Sequence, residues 1–234
     1  MRKVMLCLIA GALAGLPQRA TAQAALAYLA LISTPTAGEA PLARQWMTSD
    51  PAKSIGFDID WGHVSGYGGN LDMFTGGFVV PFAEGRADAG LSAGYFKPTC
   101  DGGGCDGNFV ASGVIEGSVL QSRLSSATFT LGLSGRLGFA KPSGATVWSA
   151  SAGMPLSLAI GAGGLRVVPF VTPAIGWGHA SAGESSDSGE RFLLGGGVGL
   201  MSSGGSFGLT VGAHHVFIEG GKTVFGAGIS LSHR

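Results

Sequence analysis

The chain has 234 residues, of which 12% are charged and 43 are glycine, with basic and acidic residues balanced at 14 each. A water-soluble domain carries about 25% charged residues, and the mean hydropathy of +0.37 points away from that class. No run of Lys and Arg forms the basic patch that nucleic-acid binding needs, and past the N-terminus no segment offers the roughly 20 uninterrupted apolar residues of a spanning helix.

Residues 1–22 read as a secretory signal. Arg2 and Lys3 supply the basic start, Val4 to Leu16 the apolar stretch, and Ala20-Thr21-Ala22 a small-x-small cleavage site. Its removal takes away Arg2, Lys3 and Arg19 and leaves 11 basic and 14 acidic residues. Residues 23–53 are expected to form a tail or a plug: Ala24 to Ile32 is rich in Ala and Leu, and Pro35, Gly38, Pro41 and Pro51 then break regular structure.

From residue 54 the hydrophobic period is two, and residues 54–234 are expected to be one β domain. Strands are expected at about 55–64, 72–82, 87–96, 109–120, 128–139, 147–160, 165–178, 191–201, 206–217 and 223–233. Phe207, Leu209, Val211 and Ala213 face one way, for example, with Gly208, Thr210, Gly212 and His214 facing the other. Each length is close to the 9–11 tilted residues that cross a bilayer. Tight links at Glu84-Gly85-Arg86, Gly161-Ala162-Gly163-Gly164 and Ser202-Ser203-Gly204-Gly205 alternate with longer polar connections, including His179 to Glu190. Pro81, Pro155, Pro169 and Pro173 fall inside strands, where each lacks a ladder N–H, so bulges are expected there.

The apolar faces carry an aromatic residue at the same end of every strand: Trp61, Phe74, Tyr95, Phe109, Phe139, Trp148, Trp177, Phe192, Phe217 and Phe225. In an antiparallel meander these ten form one ring, which is what the boundary between hydrocarbon and headgroups selects. The expected fold is all-β, a transmembrane antiparallel up-and-down barrel of about ten strands, with eight as the alternative count. Cys100 and Cys105 flank three glycines in a polar loop, and in an oxidising compartment the expected state is a disulfide. Two thiols without a nearby His fall short of a zinc site, so no metal is expected.

With an export signal, period-two strands and Gly-rich runs such as Gly195-Gly196-Gly197-Val198-Gly199-Leu200, the chain resembles the Gram-negative outer-membrane β-barrel superfamily, in its small monomeric members. The resemblance implies outer-membrane lipid as surroundings, the outer-membrane assembly machinery as a partner, no cofactor, and a monomer. An even strand count with short turns on one side places both termini in the periplasm. The closing residues Leu231-Ser232-His233-Arg234 depart from the terminal aromatic of that superfamily.

The lumen is expected to be lined by Gly, Ser, Thr and Ala, with Asp58, Asp60, Asp88, Glu116, Arg136 and His214 as its ionisable exceptions. Asp58 and Asp60 point the same way, about 7 Å apart by strand rise, and lumen carboxylates are expected to face water or pair with Arg136. The leading expectation is a non-enzymatic structural barrel or a narrow passive channel for small solutes. One alternative is a surface hydrolase, either omptin-like or lipid-modifying. The omptin-like form would use Asp58, Asp60 and His214, but Gly212 stands where that family has an Asp. The lipid-modifying form would use His214 and His215 with Ser206 or Glu219. His63 and His215 are otherwise expected to face outward and snorkel to headgroups. The other alternative is an adhesin-like module acting through the cysteine loop and residues 179–190.

Overall fold

A computed structural model describes residues 54–65, 69–100, 108–141, 146–162, 164–183, 185–202, 207–217 and 223–233. The signal and tail segments expected over residues 1–53 lie outside the described residues. So do Cys105 with the rest of the cysteine loop, and Ser206 and Glu219.

Eleven strands follow in chain order: β1 (Ile55–Ser65), β2 (Gly69–Phe82), β3 (Ala87–Cys100), β4 (Asn108–Leu124), β5 (Ala127–Ala140), β6 (Thr146–Gly153), β7 (Leu156–Ala162), β8 (Leu165–Ala182), β9 (Ser185–Ser202), β10 (Phe207–Phe217) and β11 (Thr223–His233). Each pairs antiparallel with its neighbours, and β1 pairs with β11 from Ile55↔His233 to Val64↔Val224, which closes the barrel. Strands β6 and β7 are two halves of one stave, each lying between β5 and β8. The barrel therefore has ten staves.

Pro155 explains the interruption between β6 and β7. It has no N–H to donate, yet its carbonyl still accepts from the Gly132 N–H at 2.8 Å, and the Met154 N–H donates to the Pro173 carbonyl at 2.9 Å. The pairing offset is the same on both sides of the break, so the prolines insert no residue. Pro81 and Pro173 sit inside continuous pairing, and the rungs skipped between β7 and β8 include that of Pro169. The expected bulges at proline are thus absent among the described residues. The register shift occurs instead in β4, between Ser118 and Leu120 opposite β5. It leaves both Val119 and Leu120 exposed, as an extra residue in one strand must.

The connection expected as a polar loop over residues 179–190 is a continuation of β8 and β9, paired up to Ala182↔Ser185, with Gly183 at φ +60°. Its Ser, Asp and Glu side chains carry no hydrophobic period, but the backbone ladder does not require one. At the opposite end the chain turns through a short 3-10 segment, Ala83–Gly85, and through Ser125 at φ 45°. Ile55 and His233 lie at that short-turn end as well.

The inward side chains are layered. Near the long-connection end, Met73, Phe96, Val110, Ala140, Val147 and Ala180 form one buried apolar cluster, flanked by Val64 with Val224 and by Leu193 with Val216. Ala159, Val168 and Met201 form another toward the short-turn end. Between and around them lie the buried Asp60, Thr75, Ser149, Thr210, His214 and Ser230. The lumen is therefore packed rather than lined only by small residues. Thr130 and Thr210 are 0% and 2% exposed.

Several glycines have a steric reason to be there, and at two the approach is closest. A Cβ at Gly94 would lie 1.9 Å from the Phe74 carbonyl oxygen, and one at Gly197 would lie 2.3 Å from that of Val211. A Cβ at Gly76 meets nothing closer than 3.6 Å. Gly94→Ala and Gly197→Ala are expected to lower the unfolding midpoint in detergent clearly, and Gly76→Ala to leave it within experimental scatter. Equal effects at all three sites would refute this account of strand approach.

The outer wall is apolar along its length, with Ile59, Leu91, Ile115, Leu133, Leu137, Ile175 and Val211 all exposed. Among the described residues no helix is long and apolar enough to cross a membrane; the strands do so, since a closed barrel satisfies every backbone group internally.

Candidate functional site

All ten ring aromatics lie on the outer wall. Nine are exposed, and Phe139 is half-buried against Trp148, with ring centroids 4.6 Å apart. The register makes Trp61, Phe74, Tyr95 and Phe109 consecutive cross-strand partners on β1 to β4. Phe192 and Phe217 pair in the same way on β9 and β10. A second row, missed in the sequence, runs Phe207–Leu231–Phe57–Phe78 toward the short-turn end. Its signal was one aromatic near the other end of three strands, too sparse to stand out.

The six ionisable residues expected in the lumen do point inward. Asp60, Asp88, Glu116 and His214 are buried, while Asp58 and Arg136 are half-buried. Asp88 and Glu116 stand directly opposite each other on β3 and β4, an arrangement that is destabilising when both are ionised. Arg136 is the nearest cation by register: it lies on β5 two residues beyond Ser134, the partner of Glu116, a diagonal within reach of a long side chain. Each of the carboxylates and Arg136 engages some other group, while Asp88 Oδ2 and Glu116 Oε2 are buried without a hydrogen-bond partner among the described residues. Neither ring nitrogen of His214 has a hydrogen-bond partner among the described residues. Asp60 and His214, at 4% and 2% exposed, lie inside the packed wall where a protein substrate has no access. The structure does not assemble the expected Asp58, Asp60 and His214 site at an open mouth.

A different set of residues comes together on the outer wall, two rungs beyond the Trp61–Phe74 pair. His63 and Asp72 are cross-strand partners on β1 and β2. Asp72 Oδ1 lies 2.9 Å from His63 Nδ1, and His63 Nε2 lies 2.9 Å from Ser65 Oγ. A carboxylate only accepts, so Nδ1–H is the donor to Asp72. In the neutral ring this leaves the Nε2 lone pair to accept the Ser65 hydroxyl proton, a tautomer assigned from the network. The Trp61 indole N–H also donates to Asp72 Oδ1 at 3.2 Å, and the Trp61 ring stacks on His63 at 5.9 Å. Asp72 is thereby fixed by two donors, and His63 by an acid, a ring and a hydroxyl. The local sequence produces this because alternation puts residues 61, 63 and 65 on one face, and the β1–β2 register brings Asp72 opposite the middle one.

Sequence reasoning took His63 as a snorkelling side chain and did not connect Ser65 or Asp72 to it. A signal was available. The pentapeptide Trp-Gly-His-x-Ser occurs twice, as Trp61-Gly62-His63-Val64-Ser65 and as Trp177-Gly178-His179-Ala180-Ser181. Trp177 and His179 stack as well, with centroids 5.9 Å apart. The rung of His179, however, carries Trp148 on one side and Ser188 on the other, and neither is an acid. His215, also outward, bonds Thr223 Oγ1 at 3.0 Å and packs edge-on against Phe217. Among the described residues no cluster of three His, Cys, Asp or Glu has the arrangement of a metal site.

A closed ten-stave barrel with an apolar outer wall, aromatic rows and an interior of layered apolar and polar side chains has the architecture of small outer-membrane barrels. No protein-family model matches the chain, and no curated protein matches it by sequence. Solved structures that overlap it include the N-terminal β-barrel domain of Pseudomonas aeruginosa OprF, at 13% identity over 77% of this chain and 97% of that one, with a TM-score of 0.33. The outer membrane protease OmpT of Escherichia coli overlaps at 8% identity over 80% and 99%, with a TM-score of 0.39. The transport unit of the Escherichia coli autotransporter AIDA-I overlaps at 12% identity over 82% and 95%, with a TM-score of 0.43. Overlaps of this size carry no activity from those proteins to this chain.

Proposed function

We propose that this protein is an outer-membrane serine hydrolase that cleaves acyl esters at the outer headgroup boundary, with Ser65 as nucleophile, His63 as general base and Asp72 as the residue that orients it. The observation that carries this reading is the continuous Asp72–His63–Ser65 relay, with both contacts at 2.9 Å. Nucleophile, base and orienting acid within hydrogen-bond reach are the geometric signature of an activated serine. The relay lies just beyond the aromatic row, where the ester linkages of a lipid sit next to water, and it faces outward rather than into the lumen.

In this mechanism Ser65 Oγ attacks the ester carbonyl carbon while His63 Nε2 accepts the hydroxyl proton. Asp72 holds the Nδ1–H and balances the imidazolium that forms. The C–O bond to the alcohol then breaks, and His63 returns its proton to the leaving oxygen. Water, deprotonated by the same nitrogen, releases the acyl group from Ser65 as the free acid. Water is the only co-reactant.

Export by residues 1–22, a monomer with both termini in the periplasm, and a Cys100–Cys105 disulfide belong to the same reading. The passive-channel expectation has less support, because apolar side chains from most staves fill the lumen near the long-connection end. A non-enzymatic structural barrel is the outcome if Ser65 proves unreactive. Purified protein in detergent is expected to be labelled by a fluorophosphonate probe at Ser65, and labelling should disappear in His63→Ala. The equivalent residue of the second pentapeptide supplies the control: Ser181 should stay unlabelled, and Ser181→Ala should leave labelling at Ser65 intact. Label spread over both serines, or on neither, would dismiss the relay as a catalytic device.

A further inference from the structure

Below the relay the outer wall is not uniform. A cleft of about 560 Å³ opens on the face of β2 to β6, with Gly76, Ala93 and Ala111 along its floor and Leu91, Leu137 and Trp148 among its walls. The floor is a single rung: Gly76 pairs with Ala93, and Ala93 with Ala111. Much of the rest of this wall carries Leu, Ile, Val and aromatic side chains, with small residues again at the rung of Gly196 and Ala213. Backbone packing does not demand the gap, since a Cβ at Gly76 meets nothing closer than 3.6 Å, unlike one at Gly94 or Gly197. The cleft is continuous with the lipid-facing wall and shares strand β2 with the relay. Gly76 lies four residues below Asp72, about 13 Å along the strand.

We infer that this cleft seats one acyl chain of a membrane lipid, running down the outer wall from the ester held at Ser65, so that the enzyme selects long-chain esters. The inference rests on Ser65 being the nucleophile. The occupant is an acyl chain because the wall around the cleft is apolar and the cleft offers aliphatic and aromatic contact. Ser65 pairs with Asn70, six residues above Gly76 on β2, about 20 Å along the strand, and the chain would pass the Phe74–Tyr95 pair to reach the floor. A chain seated there gains contact on its sides and floor, whereas a chain against the rest of the wall gains it on one side only.

The test uses full-length protein in vesicles of phosphatidylethanolamine and phosphatidylglycerol, doped with a phospholipid that carries a diazirine near its chain end. After irradiation, label mapped by mass spectrometry should concentrate on Leu91, Leu137 and Trp148 relative to Leu209 and Val211 elsewhere on the wall. The double substitution Ala93→Phe and Ala111→Phe fills the floor. It should lower labelling of the cleft by about tenfold, which corresponds to roughly 1.4 kcal/mol of lost contact, and leave Leu209 and Val211 unchanged. Ala93→Leu alone is the milder variant should the double fail to fold. In turnover, the filled cleft should lower kcat/KM for a myristoyl ester and spare a butyryl ester.

Ser65→Ala separates the two readings: it should abolish both turnovers yet keep the label in the cleft. Label spread evenly around the barrel would overturn the seat whatever the turnover. Concentrated label with no chain-length preference would overturn the link to Ser65. Loss of lipid adducts from the cleft together with dimers trapped there by a bifunctional cross-linker would overturn it in favour of a second copy of this chain.

Discussion

Replacing Ser65 with Ala is expected to lower ester turnover by at least about 10³-fold, with His63→Ala costing as much and the double substitution no more than either alone. The non-additivity is the diagnostic part. A hydroxyl and an imidazole that act as one relay lose their function together, whereas two groups that merely bind a headgroup would lose affinity in separate steps. Asp72→Asn keeps the shape but removes the acceptor that holds Nδ1–H, so the ring can take the wrong tautomer; a loss approaching about 10⁴-fold is expected by analogy with the well-studied triads. The loss should fall in kcat rather than KM, because the groups act on the transition state. Trp61→Phe removes the second donor to Asp72 while keeping the ring over His63, and a milder loss is expected. Turnover that survives Ser65→Ala would end the hydrolase reading.

Arg in place of Leu209 on the outer wall is expected to cost about 2–4 kcal/mol if that position lies near the bilayer midplane, because hydrocarbon offers the guanidinium no partner. Sequence alternation alone suggests that the same change at the inward Thr130 or Thr210 would be nearly free. The packed interior makes the opposite prediction. Both threonines are almost wholly buried, and their hydroxyls find no partner among the described residues. A long cation there adds overpacking of about 1–3 kcal/mol to the cost of its own desolvation. Urea titration of protein refolded in lipid, followed by the shift in gel migration between folded and unfolded forms, measures all three. A wide, wet lumen would show itself as Thr130→Arg and Thr210→Arg variants as stable as the parent.

The alternation in residues such as Phe207 to His214 was enough to read strands and faces, because a sheet repeats every two residues and one-dimensional order maps directly onto two sides. The same rule put the aromatic ring on the outside and Asp58, Asp60, Asp88, Glu116, Arg136 and His214 on the inside. It misled at the prolines, because local chemistry says only that a ladder bond is lost. Whether the chain then bulges, as at Val119, or keeps its register, as at Pro155, depends on the neighbouring strands. It also missed the β8–β9 extension, whose polar residues carry no hydrophobic period although their backbones pair.

What the sequence determined by itself was therefore everything that depends on one strand: its length, its two faces, and the apolar character of the wall it shows to lipid. The tertiary structure decided everything that depends on two. The β1–β2 register set Asp72, rather than its neighbours, opposite His63, and turned a pentapeptide that occurs twice into a relay that occurs once. Closure of ten staves brought the inward side chains together into layers that fill the lumen, and aligned Gly76, Ala93 and Ala111 into one floor. A single strand cannot encode which residue of another lies beside it, since a shift of two residues preserves every face while changing every partner.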